Sequence, residues 1–311
     1  MRAAQISEYG GAEVLQYNDQ VMQPESGKGQ VLVEVHAAAV NPFDYKVRDG
    51  LMQSMASLTF PATLGGDCAG VISALGEGVE GLAVGQEVFG QAGALSGKGS
   101  YAEYTVVKAS QLASKPRTVD FVTAAAYPLV SASAYQALVD TMQIKSGQRI
   151  LIHGGAGGIG TIAIQLAKHF GAHVITTATA NDMEFVRGLG ADQVIDYTTQ
   201  DFADLVSDLD AVYDLVGGET NAKSYALLKA GGSLVSMVAP ADEDLVEKHQ
   251  ISYTHQFTKV NPERLAAIAE LIDAGSLSIN IDKTFSLEKA GEALEYLKTE
   301  HPRGKVVIQV R

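Results

Sequence analysis

Residues 149–160 read R-I-L-I-H-G-G-A-G-G-I-G. Ile150, Leu151, Ile152 and His153 read as a short buried strand. Gly154, Gly155, Gly157, Gly158 and Gly160 then crowd a tight turn. The run T-I-A-I-Q-L-A-K-H-F follows, with Ile162, Leu166 and Phe170 at helical spacing. Strand, glycine turn, helix is the context in which a G-x-G-x-x-G pattern binds a dinucleotide. Gly155 is expected to permit the turn, Gly157 to let the backbone approach a pyrophosphate, and Gly160 to let the helix pack close to its strand. With Ala156, Gly158 and Ile159 they make an expected cofactor cradle at the positive end of the helix dipole.

On either side of this turn the pattern differs. From about Thr118 to the 230s, candidate strands at 149–153, 172–177, 193–196, 210–216 and 232–238 alternate with helices near 158–170, 181–189, 200–207 and 219–229. Such alternation predicts a doubly wound parallel sheet of the α/β class. Residues 1–115 instead show short strands among glycines, at 31–40, 69–76, 86–90 and 101–107. The alanine-rich stretch after Thr118 reads as helix interrupted by Pro128. An amphipathic helix at 262–275 and a closing strand, G-K-V-V-I-Q-V (304–310), complete the chain. That last strand suits the β-rich part, which makes the cofactor domain an insertion. The expected division is 1–120, completed by 260–311, around 121–259.

The chain has 311 residues, 46% of them hydrophobic, enough for two domains each with its own core. A formal charge of −13 argues against a general nucleic-acid or anionic-membrane binder, both of which need clustered cations. The one cysteine, Cys68, forms no intrachain disulfide, which suits a reducing compartment. No apolar run approaches the ~18 residues of a membrane helix. A soluble cytoplasmic protein is the expectation.

At this point the residues resemble a family: the medium-chain dehydrogenase/reductase superfamily, in its zinc-free quinone oxidoreductase (zeta-crystallin-like) branch. The resemblance runs in order through A-A-V-N-P-F-D-Y-K-V-R-D-G (38–50), G-G-D-C-A-G-V-I-S-A-L-G-E-G-V (65–79), P-L-V-S-A-S-A-Y-Q-A-L (128–138), the glycine turn, L-G-A-D-Q-V-I-D-Y (189–197), D-L-V-G-G (214–218) and R-G-K-V-V-I-Q-V. It implies a β-rich GroES-like catalytic domain split around a Rossmann domain, with the site in a cleft between them.

Zinc-dependent relatives hold their metal with cysteine, histidine and acidic ligands. Here Asn41 stands at the first ligand position, and Gly65-Gly66-Asp67 replaces a Gly-His-Glu run. One cysteine cannot build a structural lobe of about four such ligands, and Cys68 reads as a small core residue. No metal is expected. Without a Lewis acid to ionise an alcohol, reduction of an electron-poor acceptor is the expected chemistry.

An NAD site carries an acidic residue about 20 positions past the fingerprint. Here that strand end is V-I-T-T-A-T-A-N (174–181), with no carboxylate, which leans towards NADPH over NADH. The resemblance places Tyr197 on the 2′-phosphate, and Thr179 and Asn181 offer hydrogen bonds. A basic residue that relatives carry on this loop is Asp182 here, so Arg187 or Lys305 is the candidate cation. The resemblance also puts Asn41, Phe43, Asp44 and Tyr45 on the loop facing the nicotinamide, with Ser133, Gly217, Gly218 and Phe257 near its ring or ribose. Asn41, Asp44 and Tyr45 are the candidate catalytic residues. Asp44 fits turn stabilisation equally well, Tyr45 a pocket wall or a proton donor, and Ser133 a bond to its own helix.

The leading expectation is an NADPH-dependent quinone reductase working by direct hydride transfer. An enoyl or alkenal reductase is the enzymatic alternative. A non-catalytic cofactor-sensing or RNA-binding relative is the alternative of another class, against which the intact glycine turn and acidic charge weigh. The partner is a small electron-poor acceptor, quinone or enone. A homodimer through edge strands at 232–238 or 251–257 is expected.

Overall fold

Gln30–Val40 is buried along nearly its whole length, because V-L-V-E-V followed by A-A-A-V offers apolar side chains to both faces. It is the spine of a seven-stranded sheet ordered Ile281–Ser286, Lys305–Gln309, Gln30–Val40, Asp67–Leu75, Glu87–Gln91 and Leu112–Ser114, with Tyr104–Lys108 also paired to Gln30–Val40. The C-terminal strand Lys305–Gln309 joins it antiparallel, Val306 opposite Val40. A three-stranded sheet of Leu15–Asn18, Ala3–Ile6 and Ala62–Thr63 lies in the same unit. The computed structural model describes residues 1–55 and 57–311. Among them, no helix is long and apolar enough to cross a membrane.

The chain divides into two units, Met1–Leu129 with Val260–Ala274 and Ile279–Arg311, and Val130–Lys259 with Gly275–Ser278. The first junction lies after Leu129 and not at 120, because helix Phe121–Ala125 packs on strands Gln30–Val40 and Asp67–Leu75. Pro128 opens the next helix, Pro128–Tyr135, where its missing N–H costs nothing. Gly275–Ser278 goes with the second unit, where Gln165 brackets Ser278 through bonds to its N–H (2.9 Å) and its carbonyl (2.8 Å).

The second unit holds a six-stranded sheet, parallel throughout, in the order Gln193–Asp196, His173–Ala178, Arg149–Ile152, Leu209–Asp214, Leu228–Ser236 and Ser252–His255. This is the doubly wound sheet of the Rossmann type. Chain order reverses between Arg149–Ile152 and Leu209–Asp214, the switch point outside which ligands bind in such sheets. Leu151, Ile175, Val212 and Leu234 form its core. Helix Gly158–His169 buries Ile162, Ile164 and Leu166 and ends with Lys168 and His169 at the negative end of its dipole.

One expected helix is absent. Residues 200–207 form only a 3-10 turn, Phe202–Asp204, capped by the Asp201 carboxylate on the Ala203 N–H at 3.0 Å. Phe202 and Val206 are buried one helical turn apart, which imitates a helix, but Asp208 at φ 56° turns the chain out. The expected 219–229 helix is Gly218–Ser224 plus a 3-10 turn, and Leu228–Ser236 starts its strand earlier than 232.

Candidate cofactor and active site

The glycine turn takes its shape from three contacts. Gly154 sits at φ 74°, so it is Gly154, not Gly155, that the turn requires for its left-handed conformation. Gly155 is needed for space instead: a Cβ there would lie 2.2 Å from Thr176 Oγ1. At Gly160 a Cβ would lie 2.2 Å from the Gly154 carbonyl oxygen, which is the close helix-to-turn packing expected of it. Gly157 is the N-cap of Gly158–His169 and no side chain caps that end. The nearest atom to a Cβ at Gly157 is 3.5 Å away, so its smallness serves approach from outside. The uncapped first turn keeps the amide donors that a pyrophosphate takes. Ala156 and Ile159 are half-buried beside it.

Thr177 anchors the same turn: its hydroxyl accepts the Gly154 N–H and its carbonyl the Gly155 N–H, both at 3.0 Å. Next to it the His153 ring is buried, with Nε2 3.0 Å from Ser224 Oγ and Nδ1 3.5 Å from Thr177 Oγ1. Ser224 donates its one hydroxyl proton to the Thr220 carbonyl, so Nε2 carries the imidazole proton and donates to Ser224. Burial lowers the His153 pKa to about 4. A histidine depressed in this way contributes stability that is present above its ordinary value of 6.5 and is lost as pH falls through about 4. His153→Gln should therefore lose about 2–3 kcal/mol less than the parent between pH 7 and 4.5. Urea titrations at the two pH values measure this, and equal losses would remove His153 from the acid response.

His153, Gly154 and Thr177 line a cavity of about 550 Å³ that also takes in Tyr197, Thr198, Val216, Glu219 and Lys223. Tyr197 is 57% exposed and free to stack or donate. Thr179 donates to Asp182 at 2.7 Å, while Asn181 is exposed. At the end of Leu209–Asp214, the buried Asp214 accepts from the N–H groups of Val216 (3.0 Å) and Gly217 (2.9 Å) and from Asn221 and Ser236 (2.8 Å each). It thereby shapes the Gly217-Gly218 bend, both at positive φ. Ser133 is buried with its hydroxyl 2.6 Å from Thr258 Oγ1, while Gln256 Nε2 (3.0 Å) and Tyr213 OH (3.2 Å) donate to its carbonyl. Phe257 is 65% exposed beside the His255 ring.

In the first unit, Asn41, Asp44, Asp67, Tyr101 and Lys305 form one buried polar cluster. Strand pairing of Lys305–Gln309 with Gln30–Val40 brings Lys305 beside Asn41. Its ammonium donates to Asn41 Oδ1 at 2.5 Å and to the Val40 carbonyl at 2.8 Å, and lies 3.9 Å from Asp67 Oδ2. Asn41 Nδ2 donates to Asp67 at 2.9 Å, and the Leu129 N–H to its other oxygen at 3.1 Å. Asp44 closes a capping box on helix Pro42–Arg48 by accepting the Asn41 N–H, and takes the Tyr101 hydroxyl at the same distance of 2.8 Å. Burial raises Asp67 to about 7 and Asp44 to about 6, against the pull of Lys305, and lowers Lys305 itself. Tyr45, half-buried against the apolar core, has the Lys298 ammonium 5.5 Å from its ring centre.

Residues 27–117 match a family described as alcohol dehydrogenase GroES-like domain, and 189–308 one described as zinc-binding dehydrogenase. A 2-methylene-furan-3-one reductase of Solanum lycopersicum is 39% identical over 99% of this chain and 79% of its own length. The chain belongs to the medium-chain dehydrogenase/reductase superfamily. A chloroplastic NADPH-dependent alkenal/one oxidoreductase of Arabidopsis thaliana is 37% identical over the same shares. A solved quinone oxidoreductase from Coxiella burnetii superposes with a TM-score of 0.92 at 36% identity, covering 100% of this chain and 99% of that one. Within the superfamily the chain is an NAD(P)H-dependent oxidoreductase of the quinone oxidoreductase/alkenal reductase branch.

As a member of that branch it departs from the expectations at Lys305. Lys305 is no contact for a 2′-phosphate: it is 3% exposed and its ammonium is bonded inside the first unit. Of the two roles open to Asp44, the capping carboxylate is the one its bonds describe. The Ser133 hydroxyl meets Thr258 across the unit. Among the described residues no group of three or more His, Cys, Asp or Glu is placed to hold a metal ion. Cys68 is a buried thiol pushed up to about 12 by that burial. Thr177, Asp214 and Lys223 carry no motif of their own, although Asp214 begins the D-L-V-G-G run.

Proposed function

We propose that the protein is an NADPH-dependent reductase that delivers hydride, without a metal, to an acceptor conjugated with a carbonyl group, an enone or a quinone. The observation that carries this reading is the Lys305 ammonium, which donates to the Val40 carbonyl and to Asn41 Oδ1 beside Asp67. Those oxygens are engaged with an internal cation, so the chemistry needs an acceptor that carries its own electron sink. Enones and quinones do: in an enone the hydride forms a C–H bond at the β-carbon as the C=C π bond breaks and its electron pair moves to the carbonyl oxygen, in a quinone it adds to the conjugated ring system and the displaced pair moves to a carbonyl oxygen, and in each a solvent proton completes the two-electron reduction.

NADPH supplies the hydride when bound. The residues present fit it, through the uncapped helix end at Gly157, the space kept by Gly155 and Gly160, and the cavity beyond Thr177. The names of the two plant relatives favour an enone, and that of the Coxiella protein a quinone. Steady-state NADPH oxidation with a panel of each distinguishes them. Turnover of either class supports the proposal. Turnover of enones alone removes quinones from it, and activity confined to alcohol oxidation contradicts it. The same proposal includes a reducing, cytoplasmic setting, consistent with a single buried cysteine. It also includes a homodimer along Ser252–His255, the outermost strand of its sheet, which a monomer mass in light scattering would contradict.

A further inference from the structure

If the cofactor is NADPH, its 2′-phosphate needs a cation, and the strand-end loop does not supply one. Asp182 stands there with its carboxylate bonded to Thr179. Lys305 is buried in the first unit, and Arg187, though exposed, is not among the residues lining the 550 Å³ cavity. That cavity begins at the glycine turn, passes Thr177 and Tyr197, and has a volume suited to a nucleoside and its phosphate. One lysine lines it, Lys223, in the last turn of helix Gly218–Ser224, and no arginine does.

We propose that Lys223 is the residue that receives the 2′-phosphate, and that Asp201 competes with the phosphate for it. This rests on the NADPH reading above. Lys223 Nζ is 2.5 Å from Asp201 Oδ2, and the two side chains are 45% and 40% exposed. An ion pair so open to water contributes little and exchanges partners readily. A phosphate monoester carries up to two negative charges and three acceptor oxygens, so it is the stronger partner for an ammonium. The cavity wall otherwise carries the acids Asp201 and Glu219 and a neutral His153, so without Lys223 it repels the phosphate. Asp201 thus sets how much the extra phosphate is favoured, and the Lys223–Asp201 pair is the specificity device for the two nicotinamide cofactors.

The chain has no tryptophan, so the fluorescence of the reduced cofactors reports binding against a low background. Dissociation constants for NADPH and NADH are measured with the parent protein, Lys223→Met and Asp201→Asn. Lys223→Met should weaken NADPH about tenfold or more and leave NADH within about twofold. Asp201→Asn keeps the oxygen that caps the Ala203 N–H, so the turn survives, and it should tighten NADPH several-fold without affecting NADH. A Lys223→Met protein that still prefers NADPH overturns the assignment of Lys223 while leaving the cofactor reading intact. A parent protein that binds both cofactors alike overturns the cofactor reading itself. Equal weakening of both cofactors by Lys223→Met shows a general wall residue and also overturns the assignment.

Discussion

Lys305→Met is expected to cost about 3–5 kcal/mol of folding stability at pH 8, as removal of one member of a buried charge cluster does. The methylene stem can be replaced by methionine, but the ammonium cannot. Without it Asn41 Oδ1 and the Val40 carbonyl lose a donor, and Asp67 and Asp44 lose the positive charge that opposes their burial. Both carboxyls already titrate in the folded state above their ordinary value of 3.8. A carboxyl raised in this way contributes stability that is present below its unfolded pKa and lost as pH rises through its folded one. With Lys305 gone the folded values rise further, so the variant should be hurt less at pH 5 than at pH 8. Urea unfolding at the two pH values reads this difference. Adding Asp67→Asn removes one stranded charge and should restore part of the loss at pH 8. A loss that is below about 1 kcal/mol and independent of pH would show that the cluster is not electrostatically tied to Lys305.

Gly160→Ala should lower kcat/KM for the reduced cofactor about a hundredfold, because a displacement near 1 Å at a positioning element has that effect. The new Cβ would lie 2.2 Å from the Gly154 oxygen and within 3 Å of the Gly155 backbone, and backbone cannot give way without moving the turn. Overpacking of this kind also costs about 1–3 kcal/mol of stability. Gly157→Ala separates the two effects. Its nearest atom is 3.5 Å away and its φ of −75° is ordinary for alanine, so stability should hold while cofactor affinity falls. Thermal unfolding and cofactor titration on the pair read both. Normal affinity in Gly160→Ala would show that the turn does not position the cofactor.

Much of this arrangement is legible in the chain because it is local. The strand, glycine turn and helix of 149–169 lie within one span, and the apolar period switches visibly from the β-rich part to the Rossmann part. The closing strand Lys305–Gln309 is assigned to the β-rich unit on pattern alone, and it pairs there with Gln30–Val40. What escapes the sequence is set by distant partners. Lys305 reads as a free basic residue near the C-terminus, and only its pairing register carries it to Asn41, 264 positions away. The turn role expected of Gly155 falls to Gly154, at φ 74°, while Thr176 on the next strand denies Gly155 room for a Cβ. Lys223 sits in the short helix Gly218–Ser224, and only the fold brings it to one cavity with Asp201 on a separate turn. The 200–207 segment misleads because Phe202 and Val206 supply the helical period without the length to sustain a helix.

An internal lysine occupies the polar centre of the first unit, and under the proposed function reduction needs only the cofactor and a conjugated acceptor. Protein dialysed against a strong chelator, mixed with NADPH and an enone or quinone, tests this through absorbance of the reduced cofactor. NADPH should be consumed in proportion to reduced acceptor at an undiminished rate, and added zinc should change nothing. Loss of the activity on chelation with recovery on adding zinc would contradict it.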